Sequence, residues 1–183
     1  MENISSKPSI SEIQEQLEKI EKKDQEVREK YLEVIKNGSE EEKNIFFKKM
    51  DEIDKQNLQY VETIIDDFGG IPNIKELGIQ YCDTILLILI HSELEIQEKY
   101  LPVVEHFIKN NPKLKSNLAL LIDKIQVAKT NTQTYGTQLF FNEEIQKYDF
   151  FKIQERETVN ERRQKIGLDT LEEYEKRINR YYG

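Results

Sequence analysis

The chain has little cysteine, proline or glycine, and each of these low counts excludes or disfavours certain classes of protein. A single cysteine, Cys82, among 183 residues excludes an internal disulfide and a cysteine-based zinc site, which favours a reducing compartment. Seven glycines and four prolines are typical of a helical protein with short connections. The longest apolar run, residues 85–90, is too short to span a bilayer, and residues 1–10 lack the apolar segment of a signal peptide. We therefore expect a soluble, cytoplasmic protein with no membrane contact.

Basic residues are also in the minority, with 27 Lys and Arg against 35 Asp and Glu, a net charge of −8. Because nucleic-acid binding depends on clustered positive charge, and no basic stripe interleaved with aromatics occurs here, we expect no nucleic-acid partner. A length of 183 residues is enough to bury one core. We predict a flexible N-terminus over residues 1–8 and a single helical domain over residues 9–183.

Two long helices are predicted at the start of the chain. Ser9 with Glu12, and Ser39 with Glu42, have the spacing of capping boxes, in which each side chain bonds the backbone of the other residue. The first helix would end near residue 36, and the second near residue 68 before two glycines. Because the connection between them is short, the helices should pack as an antiparallel hairpin.

Polar residues interrupt the apolar seam of both helices at the same level. Asp24 lies fifteen residues before Ser39 and Asp54 fifteen residues after it, so equal rise along the two helices places them in one layer. Asn57 is a further interruption, and Arg28 follows Asp24 by one turn. Two carboxylates that face each other need a cation, a shared proton or a metal, and Arg28 is the nearest cation.

The middle of the chain predicts three further helices. Residues 79–91 are apolar on nearly all sides and should form a central helix. Ser92 with Glu95 predicts a capping box for a helix over about 93–110, which Pro102 should kink or restart. A helix over about 114–129 carries Asp123 beside its apolar face. After it comes a polar loop at residues 130–138.

The C-terminal part is less regular. Residues 136–141 and 147–153 are aromatic and partly alternating, which predicts a small hairpin. Thr158 should cap a short helix that stops at Gly167, and Asp169 with Glu172 should cap the last helix. The fold class is therefore mainly α: a helical bundle that opens with a long antiparallel helical hairpin and has a small irregular or β-hairpin segment near residues 134–153.

Several of these residues together carry a resemblance. The chain resembles a bacterial family known as a domain of unknown function, over about residues 20–175. The similarity implies one shared site but no established activity. Two positions depart from the family pattern, because Ile71 stands where a Trp precedes the proline and Lys124 where an Arg follows the aspartate; either change would alter the wall or the charge of a pocket. The matching residues are Asp24-Gln25 with Arg28, Asp54 with Asn57, Gly70-Ile71-Pro72, Gly78, His91, Leu121-Ile122-Asp123-Lys124, Gln133, Tyr135-Gly136-Thr137-Gln138, Arg162-Arg163 and Gly167-Leu168.

Our first hypothesis is a pocket that binds a small polar or anionic ligand, with acid–base chemistry by His91. The candidate catalytic residues are His91, with Asp54 or Asp123 to orient it. A histidine at a helix end is also common as a structural residue with a backbone partner. The candidate ligand-binding residues are polar side chains of the helical hairpin, the loop and the C-terminal helix: Asp24, Arg28, Asn57, Gln133, Tyr135, Thr137, Gln138, Arg162 and Arg163.

Each part of this candidate site also has a structural interpretation. The seam residues could form a satisfied network that fixes helix register, and the loop could be held by its own side chains. Oxygen ligands for Mg²⁺ are conceivable at Asp24, Asp54 and Asp123, but the chain has too few His and Cys residues for zinc. We assign no metal ligand, and the cofactor stays open.

Our second hypothesis is a non-catalytic protein-interaction or structural domain. It predicts an exposed apolar patch, around Phe140, Phe141, Phe150 and Phe151, in place of a closed polar pocket. The sequence does not decide between an enzyme and a binding module.

Overall fold

A computed structural model describes residues 7–182 of the chain, without the side chains of Leu32, Tyr181 and Tyr182. Most of the flexible terminus predicted for residues 1–8 therefore lies outside the described residues. The fold is mainly α, as predicted, with short strand pairs near its C-terminal end. None of the described helices is long and apolar enough to cross a membrane. The chain divides into two compact units between Ser92 and Glu93. That they make up one domain stays a prediction.

The described part of the first unit contains four helices. Helix α1 spans Ile10–Asn37, α2 spans Glu40–Phe68, α3 is a single turn at Ile74–Leu77, and α4 spans Ile79–His91. Both predicted capping boxes are present, because the side chains of Ser9 and Ser39 accept from the third residue of each helix while Glu12 and Glu42 reach back. The predicted helical hairpin is confirmed, and α4 packs against both of its helices.

The core of the first unit lies at the ends of α1 and α2 that are remote from their connection. Buried apolar side chains of α1 and α2 pack with the apolar helix α4, whose buried residues occur on most sides. Gln14 reaches from α1 to the end of α3, where its amide donates to the carbonyl of Leu77 at 2.9 Å. The core residues of α1 and α2 are Ile13, Leu17, Ile20, Ile53, Val61, Ile64 and Ile65.

The second unit begins with two packed helices, α5 at Leu94–Asn110 and α6 at Lys115–Thr130. Helix α5 continues through Pro102 without restarting. The capping box predicted at Ser92 and Glu95 is wrong. The N-cap of α5 is Glu93, which makes no side-chain cap bond, and the Ser92 hydroxyl donates instead to the carbonyl of Leu89 at 2.7 Å.

Four short strands and two α-helices follow in the described part of the second unit, which also has 3-10 turns at Pro112–Leu114 and Arg156–Thr158. Strands β2, Leu139–Asn142, and β3, Lys147–Phe150, form the predicted antiparallel hairpin, with Leu139 opposite Phe150. Strands β1, Thr132–Gln133, and β4, Lys152–Ile153, form a parallel pair that the sequence pattern did not predict. Helix α7 spans Val159–Lys165 and α8 spans Leu171–Tyr182. A small apolar core joins these elements and consists of Phe150, Ile153, Val159, Leu171 and Ile178.

Two predicted caps near the C-terminus are corrected. Helix α8 is capped one residue later than predicted, by Thr170 with Glu173, each of which bonds the other's backbone. Asp169 instead accepts from Arg163 and Arg177. Thr158 stands at the N-cap of α7 but makes no cap bond, because its hydroxyl donates to the carbonyl of Glu155.

Candidate functional site

The carboxylate of Asp123 is the centre of the polar residues in the second unit. Asp123 lies in the middle of α6, is fully buried, and accepts four hydrogen-bond donors from the loop that follows this helix. The backbone N–H groups of Thr134 and Tyr135 donate to Oδ1 at 2.7 and 2.9 Å. Both the N–H and the hydroxyl of Thr137 donate to Oδ2, at 3.0 and 2.9 Å. A buried carboxylate is stable in the ionised form only with this kind of support.

The local sequence explains how the loop returns to α6. The helix ends at Asn131, whose left-handed backbone (φ 55°) reverses the chain so that the loop runs back beside the last two turns. On the way the hydroxyl of Thr134 donates to the side-chain oxygen of Gln126 at 2.9 Å. Burial raises the pKa of the Asp123 carboxyl, and the hydrogen bonds from Tyr135, Thr137 and Thr134 act in the opposite direction.

The side-chain amide of Gln133 forms hydrogen bonds with the backbone inside the loop, as a peptide group would. It is fully buried, and its Nε2 donates to the carbonyl oxygens of Gln138 and Phe151 at 3.0 and 2.8 Å. Its Oε1 accepts from the N–H of Gln138 at 2.8 Å. The amide of Gln138 donates in turn to the Thr137 hydroxyl at 3.1 Å. Gln133 therefore joins the loop to the segment that links β3 and β4.

Arg162 and Arg163 lie on α7 and donate hydrogen bonds to the backbone of the same loop. All three nitrogens of Arg162 donate within the chain, including Nε to the carbonyl of Thr134 at 2.9 Å. Arg163 is only 1% exposed, and its Nη1 donates to the carbonyl of Tyr135 at 2.7 Å. Its Nε and Nη2 donate to the backbone and carboxylate of Asp169. These guanidinium groups therefore bond backbone carbonyls, the Thr158 hydroxyl and the carboxylates of Glu155 and Asp169 within the unit itself.

Gly136 lies where the loop meets the apolar core of the unit. Its φ is +69°, a left-handed conformation that residues with a Cβ rarely adopt. A Cβ at this position would lie 2.8 Å from Leu171 Cδ1 and 2.9 Å from Ile153 Cδ1. The glycine therefore allows the loop backbone to approach both side chains, with its amides directed towards Asp123 on one side and its carbonyls towards Arg163 on the other.

The second unit thus brings together seven of the predicted site residues: Asp123, Gln133, Tyr135, Thr137, Gln138, Arg162 and Arg163. Asp123, Gln133, Thr137 and Arg163 are buried, and the hydrogen bonds described here run from side chain or backbone to the chain itself. Burial raises the pKa of the half-buried Tyr135 hydroxyl, and the negative charge of Asp123 raises it further, which makes it a weaker proton donor. These hydrogen bonds hold the loop in one conformation. That the same residues bind a ligand stays a prediction.

The first unit brings together three other predicted residues. Arg28 donates from Nε to Asp24 Oδ2 at 2.8 Å and from Nη2 to Asp54 Oδ1 at 3.5 Å. The two carboxylates therefore share one layer of the helical hairpin with Arg28 between them, as the equal spacing from Ser39 predicts. All three side chains are half-buried rather than enclosed, and Asn57 is the buried polar residue of this seam.

His91 is the last residue of α4 and is exposed. It belongs to the first unit, as do Asp24 and Asp54, whereas Asp123 belongs to the second. The predicted pocket draws residues from both units, and its convergence stays a prediction. Among the residues that the structure describes, no three His, Cys, Asp or Glu side chains are grouped so that they could hold a metal ion.

Some residues of the loop network were not predicted from the sequence. Thr134 in the loop bonds the side chain of Gln126 in α6, and the carboxylate of Asp169 accepts hydrogen bonds from both Arg163 and Arg177. The ring of Tyr174 lies 5.1 Å from the guanidinium carbon of each of these two arginines. The only sequence signal was the density of polar residues near residue 134, because partners so distant along the chain leave no local pattern.

The β2–β3 hairpin, in contrast to the polar loop, exposes aromatic and other apolar side chains. Phe141 is 48% exposed and Ile145, in the turn, is 54% exposed, and Phe140 and Tyr148 are also exposed. The rings of Phe141 and Tyr148 contact each other edge to face, with centroids 5.6 Å apart. We call Phe141, Ile145 and Tyr148 the hairpin patch. Phe140 precedes Phe141 in the strand and therefore points to the opposite face, where its ring lies 5.2 Å from that of Phe151. The prediction was wrong for Phe150, which is buried in the core, and Phe151 is half-buried.

The structure thus defines a small, mainly helical protein whose C-terminal unit is built around a buried aspartate and the loop that encloses it. The chain belongs to a family of unknown function, DUF6624, whose model matches residues 11–183. The expected membership of a domain-of-unknown-function family is therefore confirmed. No curated protein and no solved structure matches the chain.

Proposed function

We propose that the protein is a non-catalytic protein-interaction domain that contacts its partner through the hairpin patch. One contrast in the second unit supports this proposal. The polar residues that a ligand would need are bonded to the chain itself, while Phe141, Ile145 and Tyr148 are exposed on one hairpin. Clustered exposed aromatic side chains are costly in water and are enriched at protein interfaces.

The hairpin also has the geometry of a binding element. In the described part of the chain it is a two-stranded sheet, so each strand has one edge outside the ladder. Such an edge accepts an extended segment of another protein, and the adjacent aromatic side chains provide specificity. The buried Asp123 network supports the base of this hairpin, because Gln133 bonds the backbone on both sides of it. The proposed partner is a protein, in agreement with a net charge of −8 that disfavours nucleic acid.

We further propose that the protein acts in a reducing compartment such as the cytoplasm. Its single cysteine is buried in α4, and burial raises the pKa of the Cys82 thiol to about 12. A thiol of this kind is an inert packing residue.

Photo-crosslinking in living cells tests the interaction. The photoreactive amino acid p-benzoylphenylalanine replaces Ile145 in the hairpin turn, or Ile79 on α4 as a matched exposed control. We expect one discrete crosslinked protein from position 145, lost when Phe141→Asp is added, and none from position 79. The proposal fails if position 145 gives no crosslinked species, or if the product is unaffected by Phe141→Asp.

The second candidate function is a small polar or anionic ligand site with acid–base chemistry at His91. The half-buried Arg28 between two carboxylates supports it, because charged groups left partly open to solvent can exchange partners. A ligand at this place either adds a cationic group beside both aspartates or displaces one of them from Arg28. Thermal unfolding with inorganic phosphate, acetate or ethylamine tests this candidate: a probe that stabilises the wild type, but neither Asp54→Asn nor His91→Gln, supports it, and no shift with any probe removes it.

A further inference from the structure

The outer edge of β2 is a row of backbone groups that the hairpin itself does not use. In the described part of the chain β2 pairs only with β3, so one side of β2 has no neighbouring strand. Proteins commonly protect such an edge from pairing with a charged residue, above all lysine, or with proline. The four residues of β2, Leu139–Asn142, include neither. This edge is therefore open to a strand from another chain.

The hydrogen bonds at the base of the hairpin show which groups face outwards. In an antiparallel ladder, hydrogen-bonded pairs of residues alternate with pairs whose N–H and C=O groups point away from each other. Gln138 and Phe151 are a hydrogen-bonded pair, because the N–H of Phe151 donates to the carbonyl of Gln138 at 3.4 Å. The next pair, Leu139 and Phe150, therefore points its backbone groups outwards. By the same alternation the N–H and C=O groups of Phe141 also point away from β3.

The opposite edge of the hairpin, on β3, is covered. The outward N–H of Phe150 donates to Oδ1 of Asp149 at 2.7 Å, which agrees with the alternation along the ladder. Phe150 is itself buried, and β3 packs against α8. Of the two edges, that of β2 is therefore the one that an added strand can reach.

The side chains beside the outer edge of β2 are apolar on both faces of the sheet. Successive residues of a strand point to opposite faces, so Phe140 and Phe141 lie on different sides of β2. Both are nevertheless exposed, Phe140 at 37% and Phe141 at 48%. A strand beside them gains apolar contact on each face, because side chains of neighbouring strands pack on the same face. The edge therefore fits an extended segment with apolar residues at consecutive positions.

The charge near the edge indicates the rest of the partner's chemistry. Strand β2 leads directly into the turn with Glu143 and Glu144, both exposed, and residues 130–146 contain no Lys or Arg. The next basic residue along the chain, Lys147, is opposite Asn142 on β3, one strand further from the outer edge. The two carboxylates attract a basic residue of a strand that passes the turn and repel an acidic one. Strand β2 of a second copy lies in the same acidic segment and brings no basic residue to the turn.

We propose that the partner docks by adding one extended strand to the outer edge of β2, and that this strand joins consecutive apolar residues to a Lys or Arg beside Glu143 and Glu144. The outward N–H and C=O groups of Leu139 and Phe141 then bond the partner's backbone, and the two-stranded sheet becomes three-stranded. This inference rests on the proposed interaction at the hairpin patch, and it adds the edge, the backbone groups and the chemistry of the partner.

Proline at position 139 tests the backbone pairing in the photo-crosslinking experiment with p-benzoylphenylalanine at position 145. Leu139→Pro removes the outward N–H, a change that an edge strand tolerates, whereas Leu139→Ala removes the same apolar side chain and keeps the N–H. Both variants retain Phe141 and Tyr148 of the hairpin patch. We expect the yield of crosslinked protein to be at least about fivefold lower for Leu139→Pro than for Leu139→Ala, the effect of one main-chain hydrogen bond.

Equal yields from these two variants overturn the strand pairing and leave the hairpin patch as the interface. No product from the chain without either substitution is, in contrast, the failure of the proposed function. Amide hydrogen exchange of the unmodified protein, measured by NMR, tests the edge without a substitution in β2. Leu139 and Phe141 should exchange faster than Phe140 and Asn142, whose N–H groups bond β3, and the reverse order overturns the assignment of the edge.

Charge reversal in the turn tests the chemistry of the partner strand. Glu144→Lys should lower the yield of crosslinked protein several-fold, because it repels a basic residue of the partner. Glu105→Lys, at an exposed position of α5, is the matched control and should leave the yield unchanged. A yield from Glu144→Lys that equals that of Glu105→Lys overturns the basic partner. A product that mass spectrometry identifies as two copies of this chain also overturns it.

Discussion

Asp123 and Thr137 are joined by two hydrogen bonds to a single oxygen: the backbone N–H and the hydroxyl of Thr137 both donate to Oδ2 of Asp123, at 3.0 and 2.9 Å. Both residues are buried, so water cannot replace either bond without an opening of the loop. This relationship makes the carboxylate the structural centre of the second unit, and its removal has a predictable cost.

Asp123→Ala should strongly destabilise the protein. The substitution leaves the N–H groups of Thr134, Tyr135 and Thr137 without their acceptor, and each unsatisfied buried donor costs about 1–3 kcal/mol, so we expect a total loss of about 3 kcal/mol or more. Urea unfolding measures it. Thr137→Val is the matched control, because it removes only the hydroxyl donor and should cost about 1 kcal/mol. Equal stability of the wild type and Asp123→Ala would contradict the structural role of the carboxylate.

Gly136→Ala should be clearly more destabilising than Gly167→Ala. Both glycines have left-handed backbone, with φ of +69° and +76°, so both substitutions carry a conformational cost of about 1 kcal/mol. Only at Gly136 does the new Cβ also meet Leu171 and Ile153, at 2.8 and 2.9 Å, whereas nothing lies within 4 Å at Gly167. Overpacking adds about 1–3 kcal/mol. Thermal unfolding of the two variants side by side checks the difference, and equal losses would argue against the close approach.

Arg28 should couple more strongly to Asp24 than to Asp54. Its distance to Asp24 is 2.8 Å and to Asp54 3.5 Å, and all three groups are half-buried, so each pair should contribute about 0.2–1 kcal/mol. Double-mutant cycles with Arg28→Ala, Asp24→Ala and Asp54→Ala measure the two coupling energies. Couplings of several kcal/mol would indicate an enclosed network instead of a half-open one.

The capping boxes should make stability fall in acid. The pKa values of Glu12 and Glu42 are lowered from 4.5 in the folded chain by hydrogen bonds from Ser9 and Ser39. A carboxyl with a lowered folded-state pKa contributes stability that is fully present above pH 4.5 and is lost as the pH falls through the lower value.

Carboxyl titration by NMR measures the two pKa values directly. The Ser9→Ala and Ser39→Ala variants should return Glu12 and Glu42 towards their ordinary values and should show a smaller loss of stability over the same pH range. If the variants and the wild type lose stability in parallel on acidification, the caps are not the cause.

The sequence predicted most reliably those features that depend on neighbouring residues. The Ser-x-x-Glu spacing predicted the starts of α1 and α2, and the distance from Ser39 placed Asp24 and Asp54 in one layer. The start of α8 is a case that residue spacing alone does not decide. Asp169 with Glu172 and Thr170 with Glu173 have the same spacing, and the second pair forms the cap because Asp169 is already bonded to Arg163 and Arg177.

The candidate site shows the same limit. Polar residues near residue 134 indicated a special loop, but not that Arg162 and Arg163 would bond its carbonyls or that Gln133 would replace a backbone amide. The parallel pair of β1 and β4 is two residues long, too short for any periodic pattern. These contacts are decided by the packing of distant segments, and hydrophobic periodicity contains no information about them.

The position of Arg163 has a consequence for synthesis on the ribosome. Asp123 and Thr137 are 14 residues apart, so the first bonds of the loop can form soon after α6 emerges from the exit tunnel. The carbonyl of Tyr135, in contrast, waits for a partner 28 positions further along the chain. A nascent chain therefore holds a half-closed loop until α7 follows it, and a product truncated before Arg163 should be a substrate for proteases even though it contains every residue of the loop.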